Sequence, residues 1–398
     1  MKKVLIYFSE FNPSLGGGEF TPLSFISELQ KNCEVTLVLN WRSDVPAAAE
    51  KLKIPIDFSR LRIEYVKPSG RFLQKLDAIL PFYRTRQLKK LARDADVCIS
   101  TVNMFDFGKP AHHFVFLLRQ FGDNAFSDYL AGRPEPRGLK RIRRKLRTFL
   151  AETVLRPLLG IRSTRKILAD RREHIYPNSH YVEKVMRGFY GDFNSTVFYP
   201  PTIFEFPETA VPRDPLQVAV LGHLFPEKRV LDIIRIVARA REISGLDLKL
   251  TLGGPFVIGS YVQEIQAIAA KNSWLRLAGP LYGADKERFL LSASYAVHAE
   301  RDETFGIAVS EYLKAGLIPV VPDEGGTCEI VGDSMLSWHT VEDGAQILSR
   351  LAADPAFREE RRKHCAARAA LFTRQAYLEK QHTLLNTILE ETENEAPK

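Results

Sequence analysis

Cysteine is scarce in this chain. Cys33, Cys98, Cys328 and Cys365 are the only four in 398 residues, and they form no CxxC pair. The nine histidines contain no HExxH, so a structural or catalytic zinc site has no support, and buried free thiols are the expectation. Long apolar runs are lacking as well. None approaches the roughly 18 residues that a membrane-spanning helix requires. The stretch Val4 to Ser9 is too short before Glu10 for a signal peptide, and a cytoplasmic location is expected. Biased composition is also missing: 24 glycines and 23 prolines are ordinary, which excludes collagen-like and low-complexity chains. What remains is 45% hydrophobic and 26% charged, enough for two or three globular domains of about 150 residues each.

The net charge of +8 is divided unequally. Residues 1–200 hold 34 Lys and Arg against 20 Asp and Glu, while residues 201–398 hold 22 against 28. A half at +14 suits an anionic surface, and a half at −6 argues against one continuous nucleic-acid groove.

Short apolar or β-branched runs alternate with helical patterns. Val4–Phe8, Val35–Asn40, Arg62–Val66, Val97–Thr101 and Phe114–Leu118 read as buried strands, with helices over Phe20–Lys31 and Phe72–Ala92. A strand at His174–Pro177, a helix from Tyr181 and a strand at Thr196–Phe198 close this series. Pro200, Pro201, Pro207, Pro212 and Pro215 then mark a linker over 200–215. A second series has strands at Gln217–Leu221, Lys249–Gly253, Leu275–Ala278, Tyr295–His298 and Ile318–Val321. Helices at 228–243, 260–271, 285–292 and 306–315 separate them. The expected fold is α/β, two Rossmann-like doubly wound domains (1–199 and 216–373) whose sheet ends face a central cleft. A final helix, within 374–398, is expected to return to the first domain.

The richest stretch runs from Glu300 through Glu303, Phe305, Gly306, Ile307 and Glu311 to Gly325 and Gly326. A strand opens there into an acidic loop and then a helix. Amides at Phe305, Gly306 and Ile307 suit a diphosphate, Glu311 suits ribose hydroxyls, and Glu303 suits a sugar hydroxyl. Lys228 lies just after the first strand of the second series, where an ammonium can neutralise a leaving diphosphate. Gly16, Gly17 and Gly18 follow the first strand and allow close approach of a phosphate or sugar. Asp94-Ala95-Asp96 has the spacing of a metal-binding DxD pattern, but its place before a strand makes it a cap or turn.

The spacing Glu303-x7-Glu311 around Phe305-Gly306 resembles the retaining glycosyltransferases of family 4, which have the GT-B fold. Gly16-Gly17-Gly18-Glu19, Asn178-Ser179, Tyr199-Pro200-Pro201, Gly222-x3-Pro226-Glu227-Lys228 and Gly325-Gly326 extend the resemblance over most of the chain. It implies that Glu303 contacts the donor sugar, Glu311 the nucleotide ribose and Lys228 the diphosphate, with no metal and no other cofactor. Two departures stand out. The family's usual Arg five residues before the Lys is His223 here, leaving a phosphate contact to Arg229. The family's histidine near the reacting sugar is replaced by the run Arg119 to Asp123, and His112 and His113 lie at the other end of that strand. The resemblance is nearest to mannosyltransferases of lipid-linked glycan assembly, which favours GDP-mannose over UDP-sugars as donor and a lipid-linked or polysaccharide glycan as acceptor. Alternatives are a catalytically silent nucleotide-sugar binder, a GT-B sugar nucleotide epimerase and a basic nucleic-acid-binding protein. The last would need aromatic groups among its basic residues, and only Phe149 lies there.

Eight basic residues fall between Arg133 and Arg147, and beyond Gly138 the residues Leu139, Ile142, Leu146, Phe149 and Leu150 recur at helical spacing. Residues 138–153 thus read as a basic amphipathic helix for an anionic membrane surface, which would hold the protein at the inner face of the membrane; a solvated basic face is the other reading.

Overall fold

A computed structural model describes residues 1–11, 17–66, 80–116, 126, 129–130, 146, 154, 156–206, 212–256 and 259–394. The chain forms two compact units, Met1–Pro201 with Leu378–Lys398, and Thr202–Tyr377.

Unit 1 comprises β1 (Lys2–Phe8), α1 (Gly17–Leu29), β2 (Cys33–Leu39), α2 (Val45–Lys51), β3 (Leu61–Tyr65), α3 (Leu80–Ala92), β4 (Val97–Ser100), β5 (His112–Val115), α4 (Thr164–Ala169), β6 (His174–Pro177) and α5 (His180–Tyr190). Its sheet is parallel throughout, in the order β3-β2-β1-β4-β5-β6. Val4–Phe8 and all of β4 are buried, as strands covered on both faces must be. Helix α5 starts where the Ser179 side chain accepts from Val182 N and stops at Gly191, whose φ of 85° suits a residue without Cβ.

Three sequence expectations change here. The strand expected at Phe114–Leu118 begins at His112, because buried His113 is matched by an equally buried Glu173, Nε2 to Oε2 at 2.9 Å. Thr196–Phe198 runs beside β6 without forming a strand: Thr196 and Phe198 donate to the Ile175 and Pro177 carbonyls at 3.0 and 2.9 Å, but the pairing amounts to an isolated bridge between Ile175 and Ser195. The linker read over 200–215 is shorter, since Thr202 donates to Ser310 Oγ at 2.6 Å within unit 2 and Asp214 already starts a strand.

Unit 2 comprises β7 (Asp214–Leu221), α6 (Val230–Ser244), β8 (Lys249–Gly253), α7 (Ser260–Lys271), β9 (Leu275–Gly279), α8 (Gly283–Ser292), β10 (Ala293–Val297), α9 (Ile307–Lys314), β11 (Ile318–Pro322), α10 (Gly326–Val331), β12 (Ser337–Trp338), α11 (Val341–Ala353) and α12 (Pro355–Ala369). The order β12-β11-β10-β7-β8-β9 is again parallel. Counted from its own first strand, each sheet has the order 3-2-1-4-5-6 of a doubly wound domain. The direction of winding reverses between β1 and β4 in unit 1, and between β7 and β10 in unit 2. Helix α13 (Arg374–Asn394) packs on unit 1 from Leu378 onward. Gln381 and Ser24 of α1 exchange hydrogen bonds, and Leu385 and Ile388 are buried. Among the described residues no helix is long and apolar enough to cross a membrane.

Candidate active site

The winding reversal in unit 2 is where the sequence-marked residues gather. Open α/β sheets bind ligands at such a point, beyond the carboxyl ends of the strands. From β7 the chain passes Gly222 and His223 into a single 3-10 turn, Pro226–Lys228. From β10 it passes His298 and Glu300 to Glu303. The Lys228 ammonium lies 2.5 Å from Glu300 Oε2 and 2.6 Å from Glu303 Oε2, joining the two strand ends. Tyr312 of α9 reinforces that junction, its hydroxyl accepting from the Leu221 amide at 2.6 Å.

Two carboxylates sharing one ammonium titrate as a pair. Burial raises Glu300, and the neighbouring Glu303 charge adds to the rise. Burial, the largest single influence, acts to raise Glu303, but Lys228, with smaller contributions from His298 and Glu300, outweighs it, and the carboxyl is held below its ordinary value. Burial works against the charge on Lys228; Glu303 and Glu300 together overcome it and raise the ammonium's pKa. His298 is pushed down to about 4, chiefly by burial, so its imidazole is neutral at pH 7. The ligand atoms of His298, Glu300 and Glu303 lie within 4.8 Å of one another, a set able to hold a divalent cation. The Lys228 ammonium, at contact distance from both carboxylates, already supplies positive charge to them.

Helix α9 opens at Ile307, with Gly306 as N-cap at φ 98° and no side chain capping its first turn. Its dipole and the Ile307 and Ala308 amides are thus available to an anion, while the Val309 amide already donates to the Gly306 carbonyl at 2.9 Å. Phe305 is buried, its ring edge-on to Phe372 with centroids 5.9 Å apart. Gly326 supports the acidic loop from behind: its amide donates to the Glu303 carbonyl at 2.7 Å, and a Cβ there would sit 2.4 Å from Thr304 O.

Other residues marked in the sequence lie apart from this cluster. Glu311 is buried on α9 and paired with Lys286 of α8 at 2.6 Å; burial outweighs that partner and raises its pKa. Arg229, left-handed at φ 49°, pairs with Asp232 at 2.7 Å instead of reaching Lys228. His223 is exposed and stacks on Phe225 at 5.3 Å. In unit 1, Gly17 and Gly18 are the first residues of α1, and a Cβ on Gly18 would meet nothing within 4 Å. Gly16, the run Arg119 to Asp123 and nearly all of 138–153 lie outside the described residues. Asp96 accepts from the Lys3 amide at 2.7 Å, a turn role. Glu300, His298 and Lys286 escaped the sequence reading. Glu300 carried a signal, a second carboxylate three residues before Glu303; Lys286 carried none.

Residues 202–370 match the family of glycosyl transferases group 1. No curated protein matches the chain by sequence. Among solved structures, the Anabaena protein HepE in complex with UDP and glucose is 15% identical, with TM-score 0.63 over 98% of this chain and 100% of that one. WaaG, a glycosyltransferase involved in lipopolysaccharide biosynthesis, is 15% identical, with TM-score 0.62 over 96% of this chain and 99% of its own. Sucrose-phosphate synthase from Thermosynechococcus elongatus is 14% identical, with TM-score 0.65 over 98% and 100%. The fold is GT-B, and the family match falls on the unit that holds Lys228, Glu303 and Glu311.

Proposed function

We propose that this protein is a retaining glycosyltransferase that moves a hexose from a nucleotide diphosphate sugar to a hydroxyl on a glycan. The group 1 match supports transfer of a sugar, and the UDP and UDP-glucose bound to HepE support a nucleotide sugar as donor. The observation that carries the reading is Lys228, held by two carboxylates at the winding reversal of unit 2. A diphosphate bound at the start of α9 would receive the dipole's partial charge and the ammonium, the charges its departure requires. Glu303 meets a hydroxyl of the transferred sugar, and Glu311 exchanges part of its contact with Lys286 for the ribose. In the retaining step the acceptor oxygen bonds to the anomeric carbon as the phosphate oxygen leaves on the same face and takes the acceptor proton.

With Lys228 and the helix dipole in this role, the reaction proceeds without a metal. The sequence resemblance favours GDP-mannose, and the ligands of HepE favour UDP-sugars. A panel of UDP- and GDP-sugars, assayed for release of nucleoside diphosphate in excess EDTA, tests both points. Turnover with one donor, lost in Lys228→Ala, is expected. No turnover with any donor, or turnover that needs added Mg²⁺ or Mn²⁺, overturns the reading or its metal-free form respectively. We assign the acceptor to unit 1, with a lipid-linked glycan favoured and residues 138–153 as its contact with an anionic membrane face.

A further inference from the structure

Unit 1 has its own winding reversal, between β1 and β4, and a cavity of about 300 Å³ opens there. Tyr7, Asn40, Arg84, Asn103, Arg156 and Arg162 carry its polar chemistry. Burial raises the Tyr7 phenol well above its ordinary value, so it stays protonated and donates to Asn40 Oδ1 at 2.8 Å. That contact leaves the N–H donors of the Asn40 amide for a ligand. Asn103, just beyond β4, is left-handed at φ 53°, a conformation that asparagine adopts more readily than other residues with a side chain.

The lining is strongly cationic: three arginines stand against one carboxylate, Asp106. Asp106 is already matched by Arg162 at 2.9 Å and Lys89 at 3.1 Å. Arg162 is further tied to Glu173 at 2.6 Å. Arg156 donates to the Arg162 carbonyl at 2.9 Å, and Arg84 lies over the Trp41 ring, 5.6 Å from its centroid. The buried Nε of Arg84 makes no hydrogen bond, although a guanidinium offers five donors suited to an oxyanion. The formal excess on the lining, two positive charges, matches a phosphate monoester at about −1.5 to −2 better than a carboxylate at −1.

We propose that this cavity is the acceptor subsite and that it takes an acceptor bearing a phosphate group, with Arg84 as its principal ligand. The term acceptor rests on the glycosyltransferase reading; the phosphate site itself does not. In the chain segment between the lining residues Arg156 and Arg162, Leu158 and Leu159 are 78% and 36% exposed. Exposed apolar residues in that segment suit a lipid tail on the phosphate, whereas a soluble sugar phosphate would not use them.

Binding of methyl phosphate to the intact chain, followed by calorimetry and by Trp41 fluorescence, tests the site. Wild type is expected to bind, Arg84→Gln about tenfold or more weakly, and Arg84→Lys in between, since losing charge-assisted hydrogen bonds costs about that much. The titrations are run with excess nucleoside diphosphate present, which occupies the Lys228 site of unit 2 and leaves the unit 1 cavity to methyl phosphate. Equal affinity in Arg84→Gln, or acetate binding as tightly as methyl phosphate, overturns the proposal. Nucleoside diphosphate titrated into the same variants keeps the two readings apart and reports on folding. If it binds wild type while methyl phosphate does not, the cavity proposal fails and the donor site stands. If methyl phosphate depends on Arg84 while no nucleotide binds, the cavity stands as a phosphate site and the transferase reading fails. Decyl phosphate binding more tightly than methyl phosphate, with the gain lost in Leu158→Ser, assigns the source to a lipid; equal binding assigns it to a soluble sugar phosphate.

Discussion

A single residue, Glu300, sets the charge of the proposed donor site. With Glu303 it places two carboxylates around one ammonium, and a diphosphate must approach that excess of negative charge. Replacing Glu300 by Gln retains the shape and leaves Lys228 paired with Glu303 alone. Nucleoside diphosphate should then bind roughly threefold to tenfold more tightly, an effect on the order of 1 kcal/mol for one charge at partly screened range. Stability moves with a definite sign. Burial and the Glu303 charge raise the folded-state pKa of Glu300 above its ordinary value, so its ionised form is disfavoured by folding. The penalty is absent where the carboxyl is protonated in both states and grows as pH rises from the ordinary glutamate value through the raised folded one. Glu300→Gln should accordingly melt higher than wild type at pH 7, with the gap closing toward pH 4. Glu303 has the opposite shift: its contribution is present above its ordinary value and lost as pH falls through the lowered one. Glu303→Gln should therefore melt lower than wild type at pH 7. Thermal melts of both variants across that range decide the point, and a lower melting point for Glu300→Gln at pH 7 would show that its ion pair exceeds its burial cost.

At the scale of elements, the loop before α9 depends on its fit against the start of α10. A Cβ at Gly326 would lie 2.4 Å from Thr304 O and 2.7 Å from Phe305 Cα, both backbone atoms with little freedom to yield. Gly326→Ala should cost about 1–3 kcal/mol by overpacking. It should also weaken nucleotide binding, since the same residue's amide holds the Glu303 carbonyl. Denaturant melts and nucleotide titration measure the two losses; a loss of stability with unchanged affinity would uncouple this support from the site. The strands were legible in the sequence because strands buried on both faces are continuous apolar runs, as in Val4–Phe8 and Ile318–Val321. Boundaries failed where buried polar pairs broke that pattern, as at His113 with Glu173. Thr196–Phe198 failed for a different reason: the Thr196 and Phe198 amides donate to Ile175 and Pro177 of β6, but Pro177 has no N–H to return a bond, and the pairing stops at one bridge. Strand β12 is two residues long, too short for any period to show. Helix α11 did leave a signal, the Thr340 and Asp343 capping box. In the site, Glu303 and Lys228 were readable from local motifs, but their contact spans 75 residues and only the sheet order brings them together.

Across the whole molecule, charge and exposed apolar surface fall in the same part of the chain. The first 200 residues carry the +14 excess, and eight of the basic residues lie between 133 and 147. Of 13 exposed large hydrophobic side chains among the described residues, Tyr129, Leu146, Val154, Leu158 and Leu159 belong to the 31 residues from 129 to 159. Basic and apolar residues so interleaved suit the headgroup layer of an anionic membrane, where each Lys or Arg contributes about 1 kcal/mol. A lipid-bearing phosphate in the Arg84 cavity would be drawn from that layer without leaving it. Vesicles containing anionic lipid should sediment the wild-type protein at low salt and release it as salt rises, because the attraction is screened within about 10 Å at 0.1 M. Reversing Arg141, Arg143, Arg144 and Lys145 to Glu should leave the protein in the supernatant, while nucleotide binding in unit 2 stays as in wild type. If both proteins sediment equally, or neither does, the basic segment is a solvated face. The acceptor phosphate then belongs to a soluble glycan, and decyl phosphate should show no advantage over methyl phosphate.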